Sequence, residues 1–173
     1  MTFDLQPTLE GASLKVRPLR DADFQSLYTV ASDPLIWQQH PANDRHEEDV
    51  FKAFFQEAID SGGALVVVDK KSEKIIGSSR YHNFVEEDRT VEIGWTFLAR
   101  EYWGGDCNGE LKQLMLQHAF QYVDSALFLI GPDNVRSKRA IEKIGGTEIG
   151  SKPIGPGGLS LVFEVTATAR KER

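Results

Sequence analysis

The strongest constraint on this chain is a strand pattern that runs directly into a glycine turn and then into a helix. Residues 90–99, TVEIGWTFLA, alternate along the chain, the period-two signature of a strand. Val91, Ile93, Trp95 and Phe97 are expected to face one way, and Glu92, Gly94 and Thr96 the other. EYWGGDCNGE follows at 101–110. From 110 to 123 Leu111, Leu114, Met115, His118, Ala119 and Tyr122 recur at intervals of three and four, which predicts a helix. A strand that enters a helix this way aims free amides and the positive end of the helix dipole at the turn. Adjacent glycines let an anion touch that main chain with no Cβ between. Alternatively, they are ordinary turn residues.

Around this centre the pattern alternates. LKVRPL (14–19) reads as a strand. A helix follows from Asp21 or Asp23 as cap to the Asp33-Pro34 stop, and a second runs through HEEDVFKAFFQEAIDSGG to Gly62-Gly63. ALVVVD, KIIGSSRYHNF and TVEIGWTFLA then form an antiparallel meander. After the central helix come a buried strand ALFLIG, a helix NVRSKRAIEKIGG and a final strand LSLVFEVTA. SKPIGPGG (151–158) reads as a flexible loop and ARKER as a solvated tail. The order β-α-α-β-β-β-α-β-α-β implies an α+β fold: one domain over 1–173, with a mixed, mainly antiparallel sheet and helices on both sides.

Composition narrows the partners. A net charge of -6 argues against nucleic acid or an anionic membrane, and mildly favours a cationic or amine-bearing partner. One cysteine, Cys107, excludes an internal disulfide framework, and no apolar run is long enough to span a bilayer. A soluble, cytoplasmic protein is expected. The histidines His40, His46, His82 and His118 have no metal-ligand spacing, and His118 falls on an apolar helix face. Cys107, at a helix start, is expected to have a lowered thiol pKa, with no partner at a nucleophile's spacing.

Three motifs in order, YWGG, LMLQHAF and NVRSKRAIEKIGG, make the chain resemble the GNAT superfamily of acyl-CoA-dependent N-acyltransferases. Within it the resemblance is to the branch of ribosomal-protein N-terminal acetyltransferases, and it extends from LKVRPL to LVFEV. It implies a splayed strand pair holding the pantetheine arm of acetyl-CoA against backbone groups of Phe97, Leu98 and Ala99. It further implies a pyrophosphate on the amides of Gly104, Gly105, Asp106, Cys107 and Asn108, and a pantetheine contact from Asn134. Two positions depart from the family's phosphate loop, where Glu101 and Asp106 each put a carboxylate near the phosphates.

The implied activity is direct transfer of an acetyl group to a primary amine, a peptide N-terminus or a small molecule, with no metal. Glu92 is the candidate base, or else a half-exposed sheet carboxylate. Glu148, on the strand after the last helix, is the reserve, with His82 behind it. Ser137 matches a serine that serves the departing thiolate in the ribosomal branch, or is an ordinary helix-start serine. The tyrosine acid of many relatives is replaced by Ile141. Arg139, with Arg136, Lys138 and Lys143, reaches the CoA 3'-phosphate or forms a solvated helix face. The polar segment WQQHPANDRHEED is expected to shape the acceptor side. A homodimer is common in that family. The alternative is a CoA-binding or protein-interaction module that kept the fold and lost the chemistry.

Overall fold

A computed structural model describes residues 2–155 and 158–168. Its strands are β1 (Leu9–Glu10), β2 (Leu14–Pro18), β3 (Ala64–Asp69), β4 (Ile75–Val85), β5 (Thr90–Leu98), β6 (Ser125–Ile130), β7 (Thr147–Ile154) and β8 (Gly158–Thr166). The helices are α1 (Phe24–Ala31), α2 (Glu48–Asp60), α3 (Cys107–Ala119) and α4 (Val135–Lys143). The sheet order is β1-β2-β3-β4-β5-β6-β8-β7. All neighbours are antiparallel except β5 and β6.

Helices cover both faces, so central strands are apolar on both sides. In β3, Leu65 and Val67 pack towards α3, while Ala64 and Val66 pack towards α1 and α2. That burial explains why ALVVVD reads as a continuous apolar run. On the α3 side the core also takes in Tyr81, Val91, Ile93, Met115, Phe128 and Ile141. On the other side Phe51, Phe54, Trp37 and Phe97 form an aromatic layer. His118 is a satisfied core histidine, with Nε2 2.7 Å from the Asp4 carbonyl.

Three expectations are corrected. The chain has eight strands among the described residues, where the sequence pattern suggested six. The short β1 carries no period to detect, and β7 occupies Thr147–Ile154, so residues 151–154 of the expected loop are strand. β7 is an exposed edge held by backbone pairing with β8, hence its lack of apolar alternation. Residues 156 and 157 of the expected loop, and the ARKER tail, lie outside the described residues.

The facing of β5 also changes part-way. Between the Arg80–Gly94 and Ser78–Phe97 pairs, Trp95 and Thr96 together oppose Ser79, a β-bulge with Trp95 at φ 51°. Val91 and Ile93 therefore face α3, whereas Trp95 and Phe97 pack on the α1–α2 side. Thr96 turns to the α3 face, where its hydroxyl meets that of Ser79 at 2.8 Å.

Candidate active site

The site is a fork between two parallel strands. β5 and β6 pair only at Thr90–Ser125, Val91–Ala126 and Glu92–Leu127. β5 continues to Leu98 and β6 to Ile130, so the strands separate beyond Glu92. Backbone direction decides which groups face the opening. The Ala99 amide donates to Ile76 on the β4 side, and the Phe97 carbonyl abuts Gly77 of β4. Strand alternation then turns Leu98 towards the fork. Of the three residues expected to present backbone there, Leu98 alone does so, and its carbonyl accepts from Trp103 Nε1 at 2.9 Å. The Trp103 ring lies 3.8 Å from the Arg136 guanidinium, which also donates to the Ile36 carbonyl. This stack bridges the two arms of the fork.

Beyond Leu98, the turn before α3 presents unpaired amides. The amides of Gly104, Gly105, Asp106, Cys107 and Asn108 have no acceptor among the described residues. The two glycines have different reasons. Gly104 sits at φ +73°, which its backbone requires. Gly105 has an ordinary φ, and a Cβ there meets nothing within 4 Å, so the protein itself does not demand a glycine. A cradle of free amides at a helix start, open where a side chain would stand, fits a diphosphate. Replacing Gly105 by Val should therefore leave the thermal melt unchanged while weakening acetyl-CoA binding at least about tenfold by calorimetry, the scale of a lost charge-assisted hydrogen bond.

Asp106 holds the N-cap position of α3 without a side-chain cap bond, and the helix begins at Cys107. The Cys107 thiol is pushed up, not down, by burial and then by the charges of Glu110, Asp69 and Asp106. Burial first, and three carboxylates behind it, thus correct the expectation of a lowered thiol pKa. Glu110 anchors this end of α3, accepting from the amides of Ser13 and Leu14 at 2.9 and 3.0 Å and from the Ser13 hydroxyl.

Glu92 stands at the last paired position of the fork, 6% exposed, on the face covered by α1 and α2. Its Oε1 accepts from Lys152 Nζ at 2.8 Å and from Asn83 Nδ2 at 3.1 Å. His82 is its cross-strand neighbour and packs edge-on against Trp95, 5.1 Å between centroids. Glu148 is exposed on the edge strand β7. On the other arm, the Asn134 side chain caps α4 by accepting from the Ser137 amide at 3.2 Å. The Ser137 hydroxyl, in the first turn of α4, makes no hydrogen bond among the described residues. Arg139 is exposed, and Ile141 is buried in the core.

Sequence reading missed several residues here. Lys112 enters the fork from α3 and donates to Thr96 at 2.8 Å, above the Phe128 ring. Its signal was a lysine beside Leu111 on the apolar stripe. Arg80 and Arg45 line the Glu92 face, and nothing in their local sequence distinguishes them from surface arginines.

Known proteins share this architecture. A family model described as an acetyltransferase (GNAT) domain matches residues 13–147. The chain belongs to the GNAT acetyltransferase family. No curated protein sequence matches this acetyltransferase, but solved structures share its fold. A GCN5-related N-acetyltransferase from Brucella melitensis superposes with TM-score 0.83 at 18% identity, covering 96% of this chain and 83% of the other. Mycobacterium smegmatis RimJ in complex with CoA-disulfide gives 0.69 at 18% identity, over 94% and 87%. Spermidine N-acetyltransferase from Vibrio cholerae, in complex with CoA and spermine, gives 0.71 at 15%, over 93% and 99%. The expected mixed, mainly antiparallel sheet is thereby confirmed as a GNAT fold, and the family uses acetyl-CoA. Among the described residues no helix is long and apolar enough to cross a membrane, and no cluster of three metal-ligating side chains forms.

Proposed function

We propose that this acetyltransferase, as a single domain over 1–173, moves an acetyl group from acetyl-CoA directly to a primary amine, with Glu92 as base. The observation that carries the reading is Glu92 at the crotch of the fork with an amino group, that of Lys152, already 2.8 Å from its carboxylate. An acceptor amine offered to the same oxygen is well placed to lose its proton there. Its nitrogen forms the new bond to the acetyl carbon as the carbon–sulfur bond breaks. Glu92 takes the amine proton, directly or through water, and passes it to solvent, while the departing thiolate takes a proton from solvent water and leaves as thiol. The Ser137 hydroxyl, free of other partners, hydrogen-bonds that sulfur while charge develops on it. Acetyl-CoA itself supplies the activated acyl group. Amides 104–108 hold its diphosphate, Asn134 and the Leu98 backbone face its arm, and Arg139 meets its outer phosphate.

The test is mass spectrometry of acetylated products after incubation with acetyl-CoA and cell extract, followed by an amine panel. Ser137→Ala is expected to lower kcat about 10- to 100-fold, the scale of one hydrogen bond to a charged group, with acetyl-CoA affinity and melting temperature retained. Coenzyme binding without transfer to any amine would mark the chain as a module that has lost the chemistry.

A further inference from the structure

The face of the sheet that carries Glu92 contains a buried cation, two of whose donors are unpaired among the described residues. Arg80 on β4 is 4% exposed, and its Nε and Nη2 have no hydrogen-bond partner among the described residues. Its guanidinium lies against aromatic faces, 4.5 Å from the Trp95 centroid and 5.6 Å from that of Phe54. Leaving such donors buried and unpaired is costly, and native proteins keep them mainly where another group completes the site.

A second arginine faces the same ring. Arg45, from the loop before α2, lies 4.4 Å from the Phe54 centroid and 5.6 Å from that of Trp37. Neither arginine forms an ion pair among the described residues. The exposed Glu57 attracts both only through space. His40 adds a third donor. Its Nδ1 accepts from the Ala42 amide at 2.9 Å, so in the neutral ring Nε2 bears the hydrogen. That Nε2 nevertheless faces Arg45 Nη1 at 3.4 Å. Two donors pointing at each other lack an acceptor between them. Burial and the Arg45 charge hold His40 down at about 4, so the ring is neutral at physiological pH.

The spacing relates this cluster to the candidate base. Arg80 pairs directly with Gly94, and His82 with Glu92. Arg80 is thus the diagonal neighbour of Glu92 on the same face, a separation of roughly 7–8 Å in a sheet. We propose that the acceptor is a primary amine carrying a carboxylate, which Arg80, Arg45 and His40 bind while Glu92 faces the amine. This rests on the acetyl-transfer reading above and narrows its acceptor. The site's local charge is opposite in sign to the chain's net -6, and it disfavours polyamines, which bring only positive charge to two arginines.

The test uses the full chain with matched acceptors differing only in the carboxylate: phenylalanine against phenethylamine, and 4-aminobutanoate against 4-aminobutanamide for a second anion position. Aspartyl and asparaginyl dipeptide amides form a peptide arm that separates a side-chain carboxylate from that of a free amino acid. Thiol release gives kcat/KM, and calorimetry on the protein–CoA complex gives affinity independently of turnover. At least one carboxylated member should exceed its partner about tenfold or more, and Arg80→Met should bring that ratio towards one. Arg45→Met, on a partly buried loop residue, should reduce the ratio in the same direction and keeps the test valid if Arg80→Met fails to fold. Equal rates within every pair, preference for spermidine, or selectivity that survives both variants overturns the proposal. If no amine is acetylated, the transfer reading has failed. Calorimetry then decides this one: carboxylated amines that bind the wild type and not the variants support it, and absence of binding overturns it.

Discussion

Glu92→Gln is expected to lower kcat/KM for amine acetylation by about 10²- to 10⁴-fold, the span that a positioned general base contributes. The substitution keeps the size and one hydrogen-bonding oxygen of the side chain, so Asn83 retains an acceptor. What is lost is the carboxylate that an ammonium seeks, seen in the Lys152 contact at 2.8 Å. Lys152 is 45% exposed along its side chain and can return to water, so the fold should lose no more than about 1 kcal/mol. Initial rates at saturating acetyl-CoA, read beside a thermal melt, check both halves of the expectation. A rate within threefold of wild type in a folded variant would move the base to Glu148, to His82, which stands opposite, or to water.

Lys112→Met is expected to stabilise the protein at pH 6 by roughly 1–4 kcal/mol, with the gain vanishing towards pH 10. Lys112 is 5% exposed, and burial pushes its ammonium down to about 7 from an ordinary 10.5. Between those values the unfolded chain binds more protons than the folded one, so wild-type stability rises as pH climbs from about 7 to 10.5. Below pH 7 both states are protonated, and the full cost of the buried charge remains. Methionine fills similar volume without that cost. It forfeits the bond to Thr96, whose hydroxyl keeps Ser79 as a partner. Urea unfolding of both proteins at pH 6 and pH 9.5 measures the difference. A variant less stable at pH 6 would show that the Thr96 bond and the Phe128 face outweigh desolvation.

Much of this site is readable because it is local. The turn at 101–110 joins a strand to a helix within ten residues, and its amides follow from chain direction and helix polarity alone. Glu92 follows from alternation in β5, which holds until Gly94. Past that point the reading fails, because a bulge depends on the partner strand. The extra residue at Trp95 and Thr96 exists only relative to Ser79, and it reverses the facing of every side chain after it. The edge strand β7 escaped for a related reason, since backbone hydrogen bonds to β8 hold it without an apolar face.

From order and periodicity alone come the helices, the meander and the glycine turn, and from three short motifs the family resemblance, because each is encoded by neighbours a few residues apart. The fork, the burial of Lys112, and the meeting of Arg80 with Arg45 and His40 needed three dimensions. Arg80 and Arg45 are 35 positions apart in the chain yet share one phenylalanine ring. Desolvation and unmet hydrogen bonds are properties of what surrounds a side chain, and distant segments supply those surroundings only once the chain has folded.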